Sequence, residues 1–308
     1  MLSIIIPVYN VENYIKDCLN AIDFKSIDIE VIIVNDGTKD SSFKIAQEYS
    51  GFSNVKLVEK VNGGLSSARN YGLIFATGKY VYFYDSDDVV IFDNLMKIYK
   101  YALDNDLEIV YGDYQKFFDN DNLNTKKSKK IDDSKNEVHI YSRQEYYKKY
   151  MKSGSIDVSV WRGVYKIDYL KKNGIGFIEG LIYEDVLFSF SLLLQINKIV
   201  KFDSVIYYYR QRENSLMKQN SEKHVNSKFF IAKKLHELYI KHDNYEAYLY
   251  GRNLYFSTVR DSRTRTKELT RYYFNLKYIT IGYLIRFFYT IPYYVLSKSI
   301  TVDDSYEK

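Results

Sequence analysis

Short apolar runs rich in Ile, Val and Tyr alternate with amphipathic segments over roughly the first hundred residues, and that alternation leaves few folds open. The runs at 3–6, 30–34, 55–58, 80–84 and 108–111 have the length and β-branched character of strands buried on both faces. Between them, residues 11–22, 42–49, 66–76 and 95–103 repeat apolar side chains every three or four positions. Tyr14, Leu19 and Ile22 share one face of the first. Strand followed by helix, four times over, predicts an α/β fold with an open, mostly parallel sheet flanked by helices.

The rest of the chain is less regular. Residues 116–137 are polar, with Asp119-Asn120-Asp121-Asn122 and a lysine cluster at 126–130, and read as a solvated loop. The pattern turns helical from Ser142, is irregular over 161–180, and is helical again over 184–195. A short strand is expected over 198–209, and everything after Ser221 reads as helix because Pro292 is the only proline beyond Pro7. We therefore expect an α/β domain over 1–220, with halves at about 1–115 and 138–220, and a helical C-terminal region over 221–308.

Composition excludes several classes. With 46% apolar and 27% charged residues and a mean hydropathy of -0.35, the 308-residue chain is neither a polytopic membrane protein nor disordered. A single cysteine, Cys18, rules out a disulfide framework and fits a reducing cytoplasm. The net charge of +5 is too small to indicate nucleic acid, and it is uneven: residues 225–308 carry 14 Lys or Arg against 8 Asp or Glu. The N-terminus has no basic stretch and its apolar run breaks at Pro7, so no signal peptide is expected.

In an open parallel sheet, ligands bind beyond the carboxyl ends of the strands. The residues there are polar: Asn10 after the first run, 35–40 after the second, and Asp85-Ser86-Asp87-Asp88 after the fourth. Three carboxylates within four residues repel unless a cation or water relieves them, and all-oxygen ligation suits Mg or Mn. The ordinary alternative is a turn capping the next helix. Asp36 can accept a hydrogen bond from a nucleobase, or merely belong to a loop. Arg69, early in a helix, can aim its fork at a base or phosphate, or be a solvated surface residue.

Other motifs fail on spacing. Gly174, Gly176 and Gly180 miss the dinucleotide fingerprint, His236-Glu237 with His242 misses the zinc helix, and there is no Walker loop or nucleophile elbow.

The string Ile4-Ile5-Ile6-Pro7-Val8-Tyr9-Asn10, the segment 34–41, the segment 64–72, Asp85-Ser86-Asp87-Asp88 and Tyr183-Glu184-Asp185 together closely resemble family 2 glycosyltransferases over about residues 1 to 215. The resemblance implies a GT-A fold and inverting transfer of a hexose or N-acetylhexosamine from a UDP-sugar. It puts Pro7 and Tyr9 at the uridine pocket, with Asp36 as the base-binding carboxylate. Arg69, Asp85 and Ser86 fall near the nucleotide, and Asp85 and Asp87 on the metal motif, with Asp87 the direct ligand of Mn or Mg. Asp185 matches the catalytic base. The chain departs at Asn35, Thr38 and Lys39, so Asn35 is left out of the site.

An inverting transfer needs one carboxylate to take the acceptor proton, and alone Glu184-Asp185 would equally serve a helix dipole. Glu184, Trp161 and Arg210 are acceptor-side candidates, with core packing as the alternative. The expected acceptor is a glycan or lipid-linked oligosaccharide of a surface polysaccharide, in the cytoplasm or on the inner face of the plasma membrane. Residues 278–297 carry one charge, Arg286, among nine Ile, Leu, Phe and Val. That composition argues against spanning and leaves a helix on the membrane surface, with Ile281, Ile285 and Phe288 toward lipid, or one packed on this chain or a second copy. The competing functions are a sugar nucleotidyltransferase, which lacks its Gly- and Arg-rich loop here, and a silent partner subunit of a transferase.

Overall fold

The computed structural model describes residues 1–118, 137–151, 156–212 and 221–262, together with the short strands at 264–265 and 298–299. The chain forms two compact units. One comprises Met1–Arg143, Ser159–Gly180 and Gln195–Leu216; the other comprises Gln144–Val158, Leu181–Leu194 and Met217–Lys308. The units thus interleave in sequence.

The first unit is built on β1 (Leu2–Val8), α1 (Ile15–Asn20), β2 (Ile29–Asn35), α2 (Ser42–Gln47), β3 (Val55–Glu59), α3 (Leu65–Phe75), β4 (Tyr80–Phe83), β5 (Val89–Val90) and α4 (Phe92–Asp104). It continues through β6 (Ile109–Phe118) and β7 (Val138–Ser142). After α5 (Arg143–Tyr150), most of which belongs to the second unit, it resumes with β8 (Gly163–Lys166), α6 (Ile167–Lys172) and, beyond α7 (Glu184–Leu193), β9 (Lys198–Gln211). The sheet order is β3-β2-β1-β4-β8-β6-β9-β5, with β7 also on β9. Strands β3, β2, β1 and β4 run parallel, as do β6 and β9, while β8, β5 and β7 pair antiparallel. The open, mostly parallel sheet flanked by helices is the expected architecture.

The continuous Ile and Val runs are buried on both faces because helices cover both. Ile4, Ile6, Val31 and Ile33 pack in one cluster with Leu19 of α1 and Leu95 and Ile98 of α4. On the other face α3 lies so close that a Cβ added at Gly72 would sit 2.5 Å from Ile5 Cγ2. Each fully buried aliphatic side chain contributes about 1.5–3 kcal/mol.

Many of the 34 tyrosines work in this core. Tyr80 and Tyr82 on β4, and Tyr84 just beyond it, are fully buried. A buried tyrosine needs a partner for its hydroxyl. The Tyr80 hydroxyl donates to the Ala102 and Leu107 carbonyls at 2.8 and 2.9 Å. That of Tyr84 lies 3.1 Å from the carbonyls of both Cys18 and Asp88 and accepts from Val90 N–H at 2.9 Å, which pins the turn after β4.

Elements missed in sequence are the short ones. The segment read as irregular over 161–180 contains β8, inserted between β4 and β6. Its four residues are too few for periodicity to declare a strand; its neighbours decide it. The loop expected over 116–137 overlaps β6, which runs on to Phe118 alongside β9, and its residues 119–136 lie outside the described residues.

Glu30 fastens the turn before β4. It accepts bonds from Ser3 Oγ (2.6 Å), Thr77 N–H (2.6 Å), Thr77 Oγ1 (3.0 Å) and Gly78 N–H (2.9 Å). Burial alone would raise this carboxyl, but the bonds from Ser3, Thr77 and Gly78 prevail and hold it below its ordinary value. Its stabilisation is therefore present above the unfolded-state value of about 4.3 and lost as pH falls through the folded value. Glu30→Ala is expected to cost about 2 kcal/mol at neutral pH in urea denaturation, and less below about pH 4.

The second unit contains α5, α7, α8 (Glu222–His242) and α9 (Tyr245–Ser262), so the helical C-terminal region is present. A capping box between Ser221 and His224 opens α8, and Asp243 ends it in the left-handed region at φ 48°. Asn244 Oδ1 then accepts the Ala247 N–H at 2.7 Å to start α9, and Phe229 meets Tyr255 with ring centroids 5.6 Å apart. Two-residue strands β10 (Thr264–Arg265) and β11 (Lys298–Ser299) pair in parallel. No helix among the described residues is long and apolar enough to cross a membrane. The segment 278–297, read above as a surface or packing helix, lies outside the described residues.

Candidate functional site

Because β2, β1 and β4 are adjacent and parallel, their carboxyl ends lie along one edge of the sheet. Pro7 is buried within β1, and Tyr9 just beyond it is 44% exposed. Asn10, at φ 52°, is held by Thr38, whose Oγ1 accepts the Asn10 N–H at 2.8 Å. Asn35, where the family resemblance breaks, has a structural use: its Oδ1 accepts the Thr38 N–H at 2.9 Å and its amide donates to Glu59 at 3.0 Å.

Asp36 is buried at the end of β2, and its oxygens organise the loop that leads into α3. Oδ1 accepts from Lys60 Nζ at 2.8 Å and Gly63 N–H at 2.9 Å, and Oδ2 accepts from Gly64 N–H at 2.8 Å. Asn62 donates its amide to the Asp36 carbonyl at 2.9 Å. Gly37 and Gly64 occupy φ 68° and 85°, a region other residues rarely enter, and a Cβ on Gly37 would lie 3.0 Å from Asn62 N. Lys60 escaped the sequence reading although it follows β3 directly, at the same sheet edge.

At the end of β4, each carboxylate of Asp85-Ser86-Asp87-Asp88 has a different partner. Asp85 pairs with Arg69 Nη2 at 2.7 Å; Arg69 is 1% exposed and sits 5.1 Å above the Phe177 ring. Its fork is thus turned to Asp85 within the protein, neither solvated nor free at the surface. Asp87 pairs with Arg212, whose guanidinium lies 5.1 Å over Tyr14. Asp88 is buried and accepts from Tyr207 hydroxyl at 2.7 Å and Arg210 N–H at 2.6 Å. Burial pushes the Asp88 carboxyl well above the ordinary carboxylate range, and Asp87 and Asp85 add repulsion. Burial also raises Asp87, with Arg212 pulling it back. Ser86 is 6% exposed.

Repulsion in this cluster is therefore relieved by arginines and a tyrosine of the chain itself. Asp85 and Asp87 still offer the hard oxygen donors that Mg or Mn prefers, so the residues fit such an ion together with a diphosphate.

Two acceptor-side candidates are mostly enclosed. Trp161 is 6% exposed and stacks on Tyr207, centroids 4.3 Å apart, and on Tyr209 at 5.4 Å. Arg210 donates to the Asp87 carbonyl at 2.7 Å and to Asp17 at 3.0 Å, between the rings of Tyr14 and Phe117. Both are core-packing residues of the first unit. Glu184 and Asp185 belong to the second unit and form the first turn of α7 after Tyr183, which is left-handed at φ 66°. Glu184 is buried and Asp185 half-buried. The Tyr250 hydroxyl is pushed up to about 12 by burial and by the charges of Asp157 and Asp185.

A second group with acidic residues comprises Glu137 just before β7, His139 on β7 and Asp203 on β9. His139 Nε2 is 2.9 Å from Asp203 and 3.8 Å from Glu137, while Lys201 Nζ is 3.2 Å from Asp203. The ammonium shares that carboxylate, as Arg69 and Arg212 share Asp85 and Asp87 in the acidic turn.

Comparison with known proteins bears on the family and the fold. The family model for glycosyl transferase family 2 matches residues 3–166. Glycosyltransferase GlyA of Streptococcus pneumoniae is 32% identical over 72% of the chain, although the chain spans only 32% of GlyA. The minor teichoic acid biosynthesis protein GgaB of Bacillus subtilis is 40% identical over 35% of the chain and 13% of its own length. Among solved structures, S. aureus TarS 1-349 in complex with UDP-GlcNAc superposes with a TM-score of 0.61 at 22% identity, covering 92% of this chain and 79% of TarS. The chain belongs to glycosyl transferase family 2 and has the GT-A fold.

Proposed function

We propose that the protein transfers a hexose or N-acetylhexosamine, with inversion, from a UDP-sugar to a glycan acceptor. The observation that carries this reading is the line of carboxylates at one sheet edge, with Asp36 braced inside a glycine loop and Asp85 and Asp87 each ion-paired to an arginine. TarS, which shares the fold, was solved with UDP-GlcNAc, and this supports a UDP-sugar donor. GgaB, by its name a teichoic acid biosynthesis protein, supports a polymer acceptor, for which a lipid-linked oligosaccharide of surface polysaccharide synthesis is our choice.

In this reading Pro7, Tyr9 and Asp36 receive the uridine. Asp87, assisted by Asp85, would hold Mg or Mn, whose charge offsets that of the leaving diphosphate. Arg69 keeps Asp85 in place, and Ser86 lies near the nucleotide between Asp85 and Asp87. Asp185 accepts the proton of the acceptor hydroxyl as that oxygen attacks C1 from the face opposite the diphosphate.

Calorimetry tests the donor half. UDP is expected to bind with Mn present and GDP at least about tenfold more weakly, because a purine with a different edge does not match a pocket built for uridine. Asp87→Ala is expected to weaken Mn-dependent UDP binding by about tenfold or more. Equal affinity for UDP and GDP would remove the uridine assignment, and unchanged Mn-dependent binding by Asp87→Ala would remove the metal role.

A further inference from the structure

The geometry points to Arg212 as an internal counter-ion that occupies the cation's position on Asp87 and yields it when the donor diphosphate arrives. This inference rests on the reading of Asp87 as the metal carboxylate.

Two arginines approach the acidic turn from the end of β9, and they are held very differently. Residues i and i+2 of an extended chain share a face, so Arg210 and Arg212 both lie over Tyr14, at 4.9 and 5.1 Å. Arg210 is fixed: its side chain is 6% exposed, donates to the Asp87 carbonyl and Asp17, and its backbone N–H donates to Asp88. Arg212 follows the last residue of β9 and pairs with the Asp87 carboxylate. Its side chain is 27% exposed and that of Asp87 20%, so this pair is open to exchange with solvent ions.

A guanidinium on Asp87 and a divalent cation compete for the same oxygens. The cation must displace Arg212, or bind a carboxylate whose field a positive charge has already reduced. A diphosphate changes the balance, because it presents phosphate oxygens that an arginine fork pairs well. Cation and nucleotide should then bind cooperatively, with Arg212 carrying the coupling, and coupling of this kind spans about 5- to 150-fold. Arg212 thereby keeps the acidic turn compensated while the site waits for its donor.

Mn(II) binding to the full chain, followed by the electron paramagnetic resonance signal of the free ion, tests this without turnover. Wild type is expected to bind Mn(II) weakly alone and markedly more tightly with UDP. Arg212→Gln should bind Mn(II) about tenfold more tightly than wild type without UDP and show a correspondingly smaller gain on adding it. Arg212→Lys, which keeps the charge, should behave like wild type; circular dichroism confirms that each variant is folded. If Arg212→Gln and wild type bind Mn(II) equally without UDP, or the variant binds more weakly, the counter-ion role is overturned while the metal reading stands. If no variant binds Mn(II) with or without UDP, the metal reading fails and this inference with it.

Discussion

Asp185→Asn is expected to lower sugar transfer by about a hundred- to ten-thousandfold while UDP affinity stays within about twofold of wild type. The amide keeps the size and polarity of the side chain in the first turn of α7 but cannot take a proton from an acceptor hydroxyl. The charge of Asp185 acts in a partly dry setting, since together with burial and Asp157 it holds the Tyr250 hydroxyl up at about 12. The competing role makes a different forecast. A carboxylate that only complements the helix dipole contributes about 0.3–1 kcal/mol to stability and nothing specific to turnover. Unchanged transfer with a slightly lower melting temperature would assign Asp185 to the helix and not to the chemistry.

Asp36→Ala is expected to destabilise the first unit by about 3 kcal/mol and to abolish measurable UDP binding. The carboxylate is 3% exposed and satisfies Lys60 Nζ and the N–H groups of Gly63 and Gly64 at once. Removing it leaves an ammonium and two loop donors without their acceptor, and breaking a buried pair from one side costs about 3–5 kcal/mol, at the low end here because Lys60 is partly solvated. The loop it braces opens α3, which carries Arg69 to Asp85. Calorimetry below the lowered melting temperature separates the two roles. Near-normal UDP affinity in the folded variant would mean that Asp36 only builds the loop and does not meet the base.

The sheet was legible because β1, β2 and β4 are dense in β-branched or aromatic residues, as burial on both faces demands, whereas β3 keeps only Val58 buried. Strand β8 was not, because Gly163-Val164-Tyr165-Lys166 becomes a strand only through β4 and β6 on either side. The ends of β2 and β4 announced themselves by clustered Asp residues. Their partners did not: Lys60 and Arg212 carry no signal of their own, Tyr207 is one of three consecutive tyrosines, and only the fold brings them to Asp36, Asp87 and Asp88. Sequence predicted that a cation or water would relieve the acidic turn without revealing that the chain supplies arginines for it. Trp161 and Arg210 offered chemistry suited to a sugar or phosphate, but residue type carries no information about enclosure, and both are packed inside the first unit.

The most direct test of the central claim is to incubate the purified chain with Mn(II) and a panel of UDP-sugars and follow UDP release together with the anomeric signal of the freed or transferred sugar by proton NMR. Release of UDP from one donor, with a sugar that first appears in the configuration opposite to that of the donor, is the predicted result. A sugar that first appears with retained configuration, or no UDP release from any donor with acceptor glycans present, would contradict it.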